Sequence, residues 1–447
     1  MLIVSLVMFA AYVASDNIFA VEKTITGAAY GINQDEYSAM AGAYSIFNVY
    51  LLMLIFGGLV LDKMGIRFTG IASCVLMVLG IGGVAWAFAD LHGLVASGAG
   101  IPTVNFLGST LRKPVMWAVV GIAVFGVGAE VAGITVTKAI AKWFLGYEVA
   151  LAMGLQLSLA RLGTGLAYGT TPLIVKVAGG NVLPAILIGL ILLVAGLLLF
   201  FVYCINDRKL DRQLAAAGTR EESSSSEDEF HFKDVILVIK NPAFWLIAIL
   251  CLLFYAAVNP FLKYSTGLMV DKFHISETLA GLFPMILPMG CIVLTPLFGS
   301  VYDRKGHGAD LMIIGAVIIT AVHLIFSIPA IQSGAIAILL MVMLGVGFAM
   351  LPSAMWPSIA KIMPAKLLGT TMALTFYIQN IGFIFVPKFV SAIKQANAIE
   401  GTNTYNYTPV MLFFAGLGVV ALVIALSVKV LDRVKHYGLQ EANIREK

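Results

Sequence analysis

The chain has 447 residues, 60% of them hydrophobic and 12% charged, with a formal net charge of +4. A soluble domain carries roughly 25% charged residues. That deficit, with a mean hydropathy of +0.96, excludes a soluble enzyme, a disordered regulator and a nucleic-acid binder.

A helical membrane span takes about 20 apolar residues. In chain order, six such runs fall at roughly 1–22, 38–61, 68–90, 115–140, 148–176 and 183–205, and six more at roughly 243–268, 278–302, 310–331, 335–360, 367–393 and 408–431. The first, MLIVSLVMFAAYVAS, lacks the basic start of a signal peptide and is interrupted by Asp16-Asn17, so it reads as a short first span, with a segment before Met1 left open. Between the two sets lies a polar stretch, 206–234, whose Ser/Glu-rich centre has too little apolar content to pack and is expected to be mobile. The pattern predicts an all-α membrane protein of twelve transmembrane helices: an N-terminal six-helix bundle (1–205), a linker (206–240), a C-terminal bundle (241–435) and a tail (436–447). Lys63, Arg67, Lys142, Arg208, Lys209, Arg212, Arg220, Arg304, Lys305, Lys361, Lys366, Lys429, Arg433 and Lys435 collect on one side, which predicts that the linker and both termini are cytoplasmic. The loop at 91–114 is then the longest external one. Cys74, Cys204, Cys251 and Cys291 lie in or beside apolar runs without CxxC spacing, and read as small packed side chains.

A charge inside a span is costly, so each is a candidate functional group. Glu130, in the fourth run, and Arg161, in the fifth, are the deepest, and adjacent antiparallel helices would bring them together as a structural ion pair, a substrate site or both. Asp16 and Asn17 mark a polar point on the first helix. Lys138 follows Glu130 on a similar face and reads as a lipid or loop contact near the cytoplasmic mouth. Lys263 reads as a snorkelling side chain, and His323 as a core histidine. Uncharged candidates for cavity lining are Tyr44 and Asn48, Tyr255 and Asn259 before the kink expected at Pro260, Trp356-Pro357, and Tyr377, Gln379 and Asn380. There is no HExxH, G-x-S-x-G or P-loop pattern, so no enzyme, cofactor, metal site or ATP-driven pump is expected.

One motif occurs twice. Gly58, Asp62, Lys63 and Gly65 follow the second run, and Gly299, Asp303, Arg304 and Gly306 the eighth, both reading G-x-x-x-D-[KR]-x-G. The first glycine is expected to allow close helix packing, the Asp and basic residue to sit at a tight turn, and the last glycine to supply a positive φ. This repeat, at the same place in each half, resembles the signature loop of the major facilitator superfamily. The resemblance implies two six-helix bundles around a central cavity that move by alternating access, with Asp62 and Asp303 organising the cytoplasmic contacts of the outward-open state.

Within that superfamily the chain is similar to one branch, the lysosomal dipeptide transporter and its bacterial relatives. The similar stretches are Phe125 to Glu130, Trp143-Phe144, Gly154 to Gly163, Phe244 to Leu246, Tyr255 to Val258, Pro260-Phe261, Trp356-Pro357, Gly369-Thr370, Gln379 to Gly382, and Asp16-Asn17. What this implies is facilitated diffusion of dipeptides, with Glu130 and Arg161 engaging the ligand or gating, and, in an animal protein, an accessory membrane subunit. Lys138 departs from the branch, which has uncharged residues there, and no acidic dileucine signal precedes the first span. The expectation is therefore a bacterial inner-membrane carrier, monomer or weak homodimer, whose partners are a small zwitterionic or cationic peptide and the lipid bilayer; a lysosomal protein is the alternative. The rival function is proton-coupled carriage of an organic anion, with Arg161 binding it and Glu130 titrating.

Overall fold

The computed structural model describes residues 2–144, 149–216, 232–364 and 367–442. The linker centre expected to be mobile, 217–231, lies outside the described residues, as do Arg220 and Lys366. The first half comprises α1 (Leu2–Asp16), a 3₁₀ turn (Phe19–Val21), α2 (Glu22–Thr26), α3 (Gln34–Ala43), α4 (Ile46–Tyr50), α5 (Met53–Ser97), the strands β1 (Thr103–Phe106) and β2 (Ser109–Arg112), α6 (Lys113–Phe144), α7 (Val149–Val177) and α8 (Leu183–Ala216). The second comprises α9 (Phe232–Ile239), α10 (Pro242–Asp271), α11 (Glu277–Ala280), α12 (Leu282–Lys305), α13 (Gly308–Ser327), α14 (Gly334–Ile362), α15 (Leu368–Ala396) and α16 (Thr408–Lys435).

Ten helices among the described residues are long and apolar enough to cross a membrane. One of them, α5, turns at Gly65 (φ 77°) and serves two crossings, and α7 supplies another, giving the expected twelve. Gly306 has a φ of 75° at the matching place in the second half. Both corners therefore need the conformation that only glycine adopts without strain.

The first two crossings are not continuous. The first breaks after Asp16 and resumes at Glu22, and the second breaks at Tyr44-Ser45 and again at Leu51-Leu52. Apolar run length does not register such interruptions. The loop expected at 91–114 is shorter than its apolar content suggested: 91–97 continue α5, and β1 and β2 form a hairpin turning at Leu107 and Gly108 (φ 49° and 80°). A capping box starts α3, in which the Asn33 side chain accepts from the Glu36 amide at 2.9 Å and Glu36 accepts from the Asn33 amide at 3.2 Å. The same Glu36 carboxylate is clamped by the Arg112 guanidinium at 2.8 and 2.6 Å, tying the hairpin to α3.

The two ends of the molecule differ. At the hairpin end the halves are joined by Lys23–Asp271 at 2.6 Å and Glu22–Lys394 at 2.5 Å, all four side chains buried. The Tyr407 hydroxyl lies 3.0 Å from Lys394 Nζ, and Lys23 also donates to the Asn403 carbonyl at 2.6 Å. At the linker end, three ion-pair clusters each lie within one half. Asp207 accepts from Arg67 at 2.7 Å and Lys142 at 3.0 Å, Asp62 pairs with Lys138 at 2.7 Å, and Asp310 pairs with Lys429. Exposure follows the same gradient: along one face of α6, Glu130 and Ile134 are half-buried and Thr137, nearer the linker end, is exposed. The cleft between the halves is thus shut at the hairpin end and open toward the linker end.

Candidate functional site: a charged cavity between the halves

The groups that reach the cleft come from one stripe on each of several helices. On α1 the partly accessible positions include Phe9, Tyr12 and Asp16, spaced three and four residues apart. On α10, which is otherwise buried from Leu253 to Met269, they are Asn259 and Lys263, with Tyr255 one turn earlier at 8% exposure. Glu130 on α6 and Arg161 on α7 are likewise half-buried. Side chains so deep in the bundle keep this accessibility only by lining an interior space. A separate cavity of about 210 Å³ sits nearer the hairpin end, lined by Glu22, Lys23, Lys176 and Glu277 among others, and includes neither Glu130 nor Arg161.

Glu130 and Arg161 do not form the pair expected from their helices. Among the described residues neither joins an ion pair within 4.0 Å. The reason is packing: α7 lies mainly against α1 and α12, and α6 against α5. Arg161 therefore lies within electrostatic reach of Tyr12, Cys291, Tyr255 and Asp16, and its guanidinium stands 5.1 Å from the centre of the Phe348 ring. Glu130 looks toward Tyr44 and Asn380 instead. Asn380 is held by the Ser45 hydroxyl, which donates to its Oδ1 at 2.5 Å, and by its own Nδ2, which donates to the Phe376 carbonyl at 3.0 Å. This contact places the break in the second crossing directly beside the acid.

The remaining candidates divide. Trp356 Nε1 donates to the Tyr255 hydroxyl at 3.1 Å, and the indole stacks on Phe376 with centroids 4.7 Å apart. Tyr255 meets Phe348 edge-on at 5.8 Å. These rings make an aromatic wall on the second half, facing charges carried mostly by the first. Asn259 lines the cleft and Tyr377 is partly accessible. Gln379 does not line it: it is buried against α10, accepting from the Cys251 thiol at 3.7 Å. Asn48 is 1% exposed and donates to the Tyr44 carbonyl at 3.2 Å, while its Oδ1 has no hydrogen-bond partner among the described residues. Asn17 is structural, donating to the Ala185 carbonyl at 2.8 Å and accepting from Thr171 at 2.9 Å. His323 is a core residue whose Nε2 donates to the Ala257 carbonyl at 3.0 Å, next to Pro260.

Two expectations are corrected. Lys263 does not snorkel: its ammonium crosses to the other half, 2.5 Å from the Ala41 carbonyl and 4.4 Å from the centre of the Phe19 ring. Lys138 makes a contact with the signature-loop residue Asp62 at 2.7 Å, so the motif acid is already paired within its own half. Gly58 and Gly299 do not mediate close packing here, since nothing lies within 4 Å of where a Cβ would stand. Because Asp62 and Lys138 are about one-third exposed, Asp62→Asn is expected to change unfolding stability by less than about 1 kcal/mol. A thermal melt of the purified protein measures this, and a large drop would show a buried structural role instead.

Sequence reasoning missed Tyr12, which stands one helical turn before Asp16 and within electrostatic reach of Asp16, Glu130 and Arg161 together. It also missed the four charges that join the halves. Their signal was present as charges at the ends of apolar runs, a position where snorkelling is the ordinary explanation.

Comparison with known proteins decides the family: the model of the Major Facilitator Superfamily matches residues 4–387. The chain belongs to that superfamily. It is a multi-pass membrane protein and a secondary transporter of small molecules, not an enzyme. It is 25% identical over 445 residues to the lysosomal dipeptide transporter MFSD1 of Danio rerio, covering 96% of this chain and 86% of that one. To the protein of the same name from Homo sapiens it is 26% identical over 400 residues, covering 85% and 76%. Its fold resembles that of a D-xylose-proton symporter, with a TM-score of 0.70 at 16% identity over 95% of this chain and 96% of the other.

Proposed function

We propose that this transporter carries small zwitterionic peptides, dipeptides first among them, by alternating access. What supports the reading is that Glu130 and Arg161, deep in the helical bundle, are both partly accessible and that neither is committed to an ion pair among the described residues. A peptide ammonium matches Glu130, a peptide carboxylate matches Arg161, and the aromatic wall of Tyr255, Phe348 and Trp356 suits the side chains. In a low-dielectric cavity each such contact is worth more than in water. The relatives named as dipeptide transporters support the same substrate class. The linker end, rich in Lys and Arg, is taken as cytoplasmic, so the state described is inward-facing. On this reading Asp62→Asn weakens the linker-end organisation and slows turnover.

Uniport is the first reading of the energetics, by likeness to the branch. Proton coupling is the second, and one observation favours it. Ionisation of Glu130 without change through the cycle would follow from a fixed pairing with Arg161, and that pairing is absent in this state. Uptake into proteoliposomes, with a dipeptide panel and an imposed pH step, separates the readings. Uniport predicts equilibration with the dipeptide gradient and no response to pH. Accumulation above equilibrium with an acidic outside, lost in Glu130→Gln, overturns uniport; no saturable dipeptide uptake under any gradient overturns the substrate class.

A further inference from the structure

Lys263 is a cation inside the membrane with no carboxylate within ion-pair distance among the described residues. Its ammonium has one hydrogen-bond partner, the Ala41 carbonyl at 2.5 Å, and one ring beneath it, Phe19 at 4.4 Å. Two further donor positions of the ammonium are left. Lys263 lies on the cleft-facing stripe of α10, four residues beyond Asn259 and eight beyond Tyr255, on a helix whose other positions nearby are buried. Above it the cleft is closed by the Glu22–Lys394 and Lys23–Asp271 pairs, so the space that reaches it opens toward the linker end. Asp16, at the break in the first crossing, lies within electrostatic reach of both Lys263 and Arg161. The partly accessible charges deep in the bundle are thus two acids, Asp16 and Glu130, and two cations, Arg161 and Lys263, none in an ion pair among the described residues. Lys138, the other cation of this region, is spent on Asp62.

We propose that Lys263 is a specificity-determining residue that brings the cavity to charge balance and so selects peptides with neutral side chains over those with a cationic one. This rests on the peptide-carrier reading above. Without Lys263 the site would hold two acids against one cation and would favour a solute with one extra positive charge. With it, that extra charge meets a like charge in a low-dielectric space, where the penalty is on the order of tenfold in apparent affinity.

The test compares Ala-Ala, Ala-Glu and Lys-Ala as competitors for uptake in proteoliposomes holding the full chain. The variants are Lys263→Gln, Lys263→Met, which keeps an apolar stem over Phe19, and Lys263→Arg. The expected result is a roughly tenfold gain in the affinity of Lys-Ala relative to Ala-Ala in Lys263→Gln and Lys263→Met, with wild-type ratios kept in Lys263→Arg. A merely structural strut between the halves would weaken all three peptides in parallel. Ratios unchanged within about twofold, or failure of both neutral variants to fold, would overturn the proposal. Failure of the wild type to take up any of the three overturns the peptide reading, and this proposal with it.

Discussion

Glu130→Gln and Arg161→Ala are each expected to abolish uptake while leaving a folded, extractable protein. Removing one member of a desolvated, hydrogen-bonded charge contact costs about 2–5 kcal/mol, or roughly 30- to 5,000-fold in affinity. The substrate contacts at Glu130 and Arg161 are of that kind if each holds one end of a zwitterion. The fold should survive because neither residue is committed to an ion pair among the described residues, so neither substitution breaks a buried ion pair. Uptake and unfolding temperature must be measured on the same preparations. Normal rates in both variants would place the site elsewhere, and loss of folding in both would make these charges structural.

The second large effect is expected at the hairpin end. Lys394→Ala leaves Glu22, 1% exposed, without its cation. Breaking one side of a buried pair costs on the order of 3–5 kcal/mol, much of it the burden of the charge left behind. The closed hairpin end should lose that amount relative to an arrangement in which Glu22 reaches water. Spectroscopic distances between labels on the loops at 27–33 and 397–407 should lengthen. The double substitution Glu22→Leu with Lys394→Met removes both charges and should restore the closed distance, since a well-packed apolar pair can replace a buried ionic one. Unchanged distances in Lys394→Ala would mean that the pair does not hold this end shut.

The fold was largely legible in the sequence because membrane spanning writes itself as run length, and the paired motif at Gly58–Gly65 and Gly299–Gly306 marks the same turn in each half. The breaks after Asp16 and at Tyr44-Ser45 were not legible, since the flanking residues remain apolar and no proline marks them. For the site, polarity inside a run pointed to Glu130, Arg161, Asp16 and Asn259, all of which are partly accessible within the bundle. It did not reveal which of them face each other. That depends on the rotation of each helix, which is set by contacts across sequence separations that no local pattern contains. Gln379 shows the cost: it is polar, deep and turned away, toward Cys251. Lys263 shows the converse, since its position near a helix end suggested the interface, while Ala41 and Phe19 draw it inward.

The pairing of Glu22 with Lys394 also bears on how the molecule is made. Their positions are 372 residues apart, and chains elongate at about 5–20 residues per second. For roughly 20 to 75 seconds after Glu22 leaves the ribosome, its partner does not yet exist. The first half must therefore enter the bilayer with Glu22 and Lys23 near the headgroups, paired with each other or with water, while the second half is being synthesised. Sealing of the hairpin end is then among the last events of assembly, and conditions that slow elongation should lengthen the interval in which the first half is open to quality-control proteases.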